Sequence, residues 1–238
     1  MTAMSARERM LGRLRAAVPT SGKTLGADTA ALDRRIDTHF DTRRGDPPSI
    51  PAMVAALEAN LTACHADVIR ADAVSWPALV AGRLAAAGVR RLLLDTARPE
   101  GAALAAALPP GTAAITFGRP IDAWKAELFD TVDAGFTVAR SGLAATGTLV
   151  VAPDPGSPRT MSLVPPIHIA LVHAATLHPD LHSAVRAEQW GGGMPTNLVM
   201  ISGPSKTSDI QQTLAYGAHG PRQLWVVIVT APAGEAAQ

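Results

Sequence analysis

Several absences narrow the reading of this 238-residue chain. It has one cysteine, Cys64, so it forms no internal disulfide and offers no CxxC pair for a metal or an iron–sulfur cluster. A reducing, cytoplasmic setting is expected. No apolar run approaches the roughly 20 residues that a membrane-spanning helix needs. The N-terminal charges precede no apolar stretch, so no secretory signal is expected. The net charge of +1 gives no general case for nucleic acid or an acidic membrane as a partner. Lysine is scarce: Lys23, Lys125 and Lys206 stand among many arginines. Carboxylates are missing from 139–153 and between Asp154 and Asp180, so a paired-carboxylate mechanism is hard to build there. GxGxxG, GxSxG and HExxH do not occur.

What is present is ordinary globular material, 47% hydrophobic, enough for a sizeable core. Residues 5–17 open with Ser5 and Glu8 in capping-box spacing and carry Met10, Leu11 and Leu14 beside four arginines. An amphipathic helix is predicted, either a cap or dimer arm or a basic helix for a partner. Residues 18–49 show Pro, Gly, Asp and Arg with little period and are expected to be irregular. From Pro51 the pattern becomes regular. Helices are predicted near 51–64, 76–87, 99–108 and 121–129, with strands at 66–71, 90–95 and 113–118. Such alternation argues for a mostly parallel sheet covered on both faces. From Val132 to Pro153 two or three extended pieces follow without a helix, which predicts a β-hairpin excursion. A strand at 167–172 and a helix at 181–190 come next. The domains expected are 1–49 (helix and irregular segment), 50–231 (α/β domain) and a tail, 232–238.

Residues 197–229 read as strand, glycine turn, helix, glycine turn, strand. Ile210 and Leu214 fall four apart, Ser205, Thr207 and Ser208 are N-cap candidates, and Asp209 sits in a first turn. Gly203, these hydroxyls and Lys206 at a helix N-terminus would form an anion cradle, because the first helical N–H groups lack internal partners. Asp209 has an equally good structural reading, as an acceptor that holds the turn. His219, in the turn before Gly220 and Pro221, is free either to face a cleft as acid or base or to stabilise its turn.

Two further constellations precede it. In SGLAATGT the hydroxyls of Ser141, Thr146 and Thr148 surround small residues that let a ligand approach the backbone. The competing reading is a tight turn with positive φ at Gly147. In PPIHIALVH, His168 is either a ligand-facing imidazole or a buried one bonded to backbone. His168 and His173 are five apart, so on a strand they face opposite sides and cannot chelate one metal together. No metal site is expected.

The ordered set GLAATGTLVVAP, LVPPIHIALV, ISGPSKTSDI and YGAHGPRQLWVVIV resembles the LUD domain, and the whole chain is similar to the lactate-utilisation protein C family. The arginine-rich first helix also fits. The matching positions are Thr146, Gly147, Thr148, Pro166, His168, Gly203, Ser205, Lys206, Thr207, Asp209, His219, Gly220 and Pro221. The resemblance implies a Rossmann-like α/β fold shared with sugar-phosphate isomerases and CoA transferases. It implies cytoplasmic oxidation of L-lactate to pyruvate alongside iron–sulfur partner proteins, with no cofactor held by this chain. The family commonly reads AETGT at the glycine turn. Here Ala145 fills the slot of the acid, which in related CoA transferases is the covalent nucleophile. Lys206 replaces a common arginine, keeping charge but not bidentate geometry.

The leading expectation is therefore a component of lactate utilisation. It would bind lactate, pyruvate or a phosphate or CoA compound between the SGLAATGT turn and GPSKTSD, with His219 or His168 for proton transfer. The alternatives are a non-catalytic assembly or regulatory subunit, or a transferase or isomerase acting on a CoA ester or sugar phosphate.

Overall fold

The structure is a computed structural model that describes residues 6–17, 25–208 and 213–230. The chain divides into two compact units, Met1–Asp46 and Pro47–Gln238. The first unit contains helices α1 (Ala6–Ala17) and α2 (Leu25–Asp41). The helix α2 corrects part of the irregular segment expected at 18–49: residues 42–49 are irregular, and 18–24 lie outside the described residues. Its signal is a stripe of Leu32, Ile36 and Phe40, four residues apart, which the nearby glycines and prolines obscure.

The second unit begins with α3 (Ile50–Ala63). Ser49 caps it by accepting the Ala52 N–H, and proline lies in the first turn, where its missing N–H costs nothing. Regular alternation follows: β1 (Asp67–Asp72), α4 (Trp76–Ala86), β2 (Arg91–Leu93), α5 (Pro99–Ala106), β3 (Ala113–Ile115), α6 (Lys125–Thr131) and β4 (Ala134–Val138). Then come β5 (Ser141–Leu143), β6 (Thr148–Val151), α7 (Thr160–Leu163), β7 (Ile167–His173), β8 (Leu177–His178), α8 (Leu181–Ala187), α9 (Trp190–Gly193) and β9 (Val199–Ile201). The last elements are β10 (Lys206–Thr207), β11 (Ala215–Tyr216) and β12 (Gln223–Thr230).

Six strands form one parallel sheet in the order β1-β12-β7-β4-β2-β3. The protein is thus a mixed α/β fold with a mostly parallel central sheet. Alternate residues of β7 and β12 divide between two cores, which is why both strands read as continuous apolar runs. Ile169, Leu171, Trp225, Val227 and Val229 pack with Trp76, Val80 and Leu84 of α4 and Leu104 of α5. Ala170, Val172, Leu224, Val226 and Ile228 pack on the other face with Met53, Val54, Leu57 and Leu61 of α3 and Leu149 and Val151 of β6.

The hairpin excursion is β5 and β6, paired antiparallel and extended to a four-stranded sheet, β8-β5-β6-β9. This places β9 beside β6, with Met200 opposite Val150, and not beside β12. The βαβ unit expected at 197–229 is therefore corrected: its two strands belong to different sheets. The helix expected between them is also corrected at its ends. Lys206–Thr207 and Ala215–Tyr216 form an antiparallel ribbon, Lys206 opposite Tyr216 and Thr207 opposite Ala215. Ile210 and Asp209 lie outside the described residues. Leu214 lies in no helix, and the pairing of Lys206–Thr207 with Ala215–Tyr216 takes both ends of the expected span. The helix expected over 181–190 ends at Ala187. Gln189, at φ +53°, breaks it before the single turn Trp190–Gly193.

Candidate functional site

The strands β7 and β12 both begin at the same edge of the main sheet, and a cleft of about 310 Å³ opens there. His168 and Leu224, the second residues of these strands, form its floor on neighbouring register positions. Val199, Met200 and Ile201 of β9 supply an apolar wall. Ser202, Gly203, Ser205 and Lys206 continue from it, and His219, Gly220 and Pro221 close the opposite side. Ser162 and Leu163 of α7 complete the lining.

Ser205 fastens the two chain segments. Its N–H donates to the Pro221 carbonyl at 2.8 Å, and its carbonyl accepts the Gly217 N–H at 2.9 Å. Gly220 lies close behind it: a Cβ there would sit 3.1 Å from the Ser205 Cβ. Gly203 packs against the end of α3, where a Cβ would meet the Cys64 carbonyl oxygen at 2.7 Å. Both glycines allow close backbone approach. Lys206 is exposed and has no ion pair among the described residues. The helix N-terminus expected at Lys206 is thus corrected: Lys206 lies in a strand ribbon, opposite Tyr216.

His168 is buried, and its Nε2 lies 2.8 Å from Thr137 Oγ1, a side chain partner where a backbone one was expected. Burial alone drives its pKa down to about 3, so the ring is neutral. His219 is exposed on the cleft's other side. His173 points to the opposite face of the sheet from His168, where its Nε2 meets Glu100 Oε1 at 2.8 Å. Among the described residues no group of three or more His, Cys, Asp or Glu is placed to hold a metal ion.

The SGLAATGT turn reaches the cleft indirectly. Thr146 Oγ1 and Thr148 Oγ1 are 2.8 Å apart, and Thr148 Oγ1 is 2.8 Å from Ser202 Oγ, which lines the cleft. Gly147 has φ +61°, the tight-turn geometry. Ser141 is fully buried in β5 and does not line the cleft. Thr207 is paired in the ribbon, and Asp209 lies outside the described residues. The fold therefore brings His168, Gly203, Ser205, Lys206, His219 and Gly220 together. Sequence reading missed Ser162, Ser202 and Thr137. Ser202 stood beside a chosen glycine, whereas Thr137 and Ser162 join the site only through tertiary packing.

Fold and cleft together define an α/β protein with an open cleft at the end of a parallel sheet, flanked by a second, smaller sheet. The model of the LUD domain matches residues 54–229, and the chain belongs to that family. An uncharacterised protein of Neisseria meningitidis serogroup B is 38% identical over 231 residues, 95% of this chain and 94% of its own. A lactate utilization protein C of Exiguobacterium is 35% identical over 107 residues. The match covers 43% of this chain and 46% of that protein, so it spans under half of either. A crystal structure of a DUF162 family protein from Deinococcus radiodurans shares the fold, with TM-score 0.58 and 23% identity over 77% of this chain and 99% of that one. Among the described residues no helix is long and apolar enough to cross a membrane.

Proposed function

We propose that this protein takes part in lactate utilisation and that its cleft binds a small carboxylate, lactate or pyruvate, with phosphate and CoA compounds as the competing ligands. The observation that carries the reading is Lys206, an unpaired cation among the described residues, at the mouth of a cleft with serine hydroxyls and an apolar wall. A carboxylate would meet Lys206 and the Ser202 and Ser205 hydroxyls, and a short apolar chain would meet Ile201 and Leu224. The names of the lactate utilization protein C relatives support the choice of acid. Oxidation of lactate to pyruvate releases two electrons and two protons. A single cysteine cannot ligate a four-cysteine cluster, so iron–sulfur partner proteins would take the electrons. His219 would exchange a proton.

A thermal-shift series with lactate, pyruvate, phosphate and CoA, repeated on Lys206→Ala, tests the site. The wild-type protein should be stabilised by at least one of these acids and the variant much less. Equal shifts in the two proteins would remove Lys206 from the site. A second reading, a non-catalytic assembly subunit in the cytoplasm, is favoured by Ala145 at the position where the family commonly carries an acid. Reconstitution with an iron–sulfur partner separates the two. Lactate oxidation that needs this chain's presence but is indifferent to changes at His219 and Lys206 would favour the second.

A further inference from the structure

Thr137 and His168 meet across the β4–β7 pair. Gly135 is opposite His168 in register, so Thr137, two residues along β4, is its diagonal neighbour on the same face. Thr137 Oγ1 lies 2.8 Å from His168 Nε2, and the two residues are only 2% and 1% exposed. Distance alone does not say which atom donates. The hydrogens decide it. The Thr137 hydroxyl has one hydrogen and no other hydrogen-bond partner among the described residues. A proton on Nε2 would point at this oxygen and leave the hydroxyl hydrogen buried without an acceptor, which is costly. A hydroxyl that donates to Nε2 satisfies both of those atoms and leaves only one ring atom, Nδ1, without a partner among the described residues, where the other arrangement leaves the hydroxyl hydrogen as well. The ring's single proton then sits on Nδ1, which has no partner among the described residues and belongs to a side chain lining the cleft.

We infer that Thr137 locks His168 as the neutral Nδ1–H tautomer, so that the cleft floor presents a hydrogen-bond donor and takes a ligand with a carbonyl or carboxylate oxygen there. The inference rests on the cleft being the ligand site proposed above, and it sharpens the ligand class to short 2-oxo acids. A ketone oxygen accepts from Nδ1–H and has no hydrogen of its own to place. A 2-hydroxy acid must find a second acceptor for its hydroxyl. His168 thereby binds and orients, because its Nε2 lone pair is already engaged by Thr137. Thr137 is a positioning residue that acts through it.

Long-range ¹H–¹⁵N correlation on the full-length protein, with His168 assigned from His168→Gln, reads the tautomer without any ligand. The expected result is a protonated Nδ1 and an unprotonated Nε2, with Nδ1 moving when pyruvate is added. Thr137→Val should give a mixture of tautomers and weaken pyruvate binding about tenfold, the size of one hydrogen bond. Thr137→Ser should restore both. A protonated Nε2 in the free wild-type protein overturns the inference and leaves the proposed site standing. So does Thr137→Val with unchanged tautomer and affinity. A locked Nδ1–H with no response of cleft resonances to pyruvate, lactate, phosphate or CoA overturns the ligand site itself, and the ligand class with it.

Discussion

Gly147 folds its turn directly onto Asn60: a Cβ at position 147 would lie 2.6 Å from the Asn60 Cβ. The same asparagine donates its amide N–H groups to the carbonyls of Ala144 at 2.9 Å and Ala145 at 3.2 Å. The turn that joins β5 to β6 is therefore tied to the last turn of α3, and the hydroxyls of Thr146 and Thr148 are held toward Ser202.

Gly147→Ala combines a positive φ with a clash against helix backbone, since Leu61 N would also lie at 2.9 Å. Neither side can move cheaply. We expect a loss of about 3 kcal/mol, from the left-handed conformation and overpacking together. Urea denaturation measures it. A midpoint equal to that of the wild-type protein would contradict the stated packing.

Lys206→Gln keeps length and removes charge. Binding of a carboxylate should weaken by at least about tenfold, the scale of a charge-assisted hydrogen bond. The wild-type affinity should also fall with added salt, and the variant's should not. Calorimetric titration at two ionic strengths checks both statements.

Acid should act first through His168. Its folded pKa is about 3, far below the unfolded value near 6.5. The unfolded chain therefore binds the proton that the folded one refuses, and stability falls as pH drops from about 6.5 toward 3. The slope from this one group is about 1.4 kcal/mol per pH unit. Glu100 and Asp154 are held below the usual carboxylate range, by hydrogen bonds and charge from His173 and Arg98 that outweigh burial. Their contributions are lost only at lower pH. Denaturation of wild type and His168→Gln between pH 6.5 and 4.5 isolates the histidine. Parallel curves would show that it is not buried neutral.

Ala145 is exposed, and its N–H donates to the Pro179 carbonyl at 2.9 Å, a bond that any side chain preserves. Ala145→Glu should therefore leave stability within about 0.5 kcal/mol. A large loss on thermal denaturation would mean that the slot for the acid is closed in this protein.

How much of this was legible in the sequence depends on whether the signal was local. The helix expected from Pro51 to Cys64 is there as Ile50–Ala63, because one apolar face and a capping serine suffice to specify it. The parallel sheet was legible from the spacing of its strands. The placement of β9 was not, since VMI carries no mark of which sheet it joins. The ribbon at Lys206–Tyr216 was misread for the same reason: its partners are eight and ten residues apart, and Ser205 and Pro221 hold it from outside. At the cleft, His168, Lys206 and His219 were chosen on residue type and turn context. Thr137 was invisible, because only the register of β4 against β7 brings it to the imidazole.

The position of β12 has a consequence for how the molecule is made. Among the described strands, β1 pairs only with β12, and β12 also fills the space beside β7. During synthesis β1 leaves the ribosome early and waits for a partner encoded about 150 residues later, and the main sheet keeps an open gap until then. Nascent chains halted before residue 223 should expose the edges of β1 and β7 and depend on chaperones. Release of the last strand would close the sheet in one late, cooperative step.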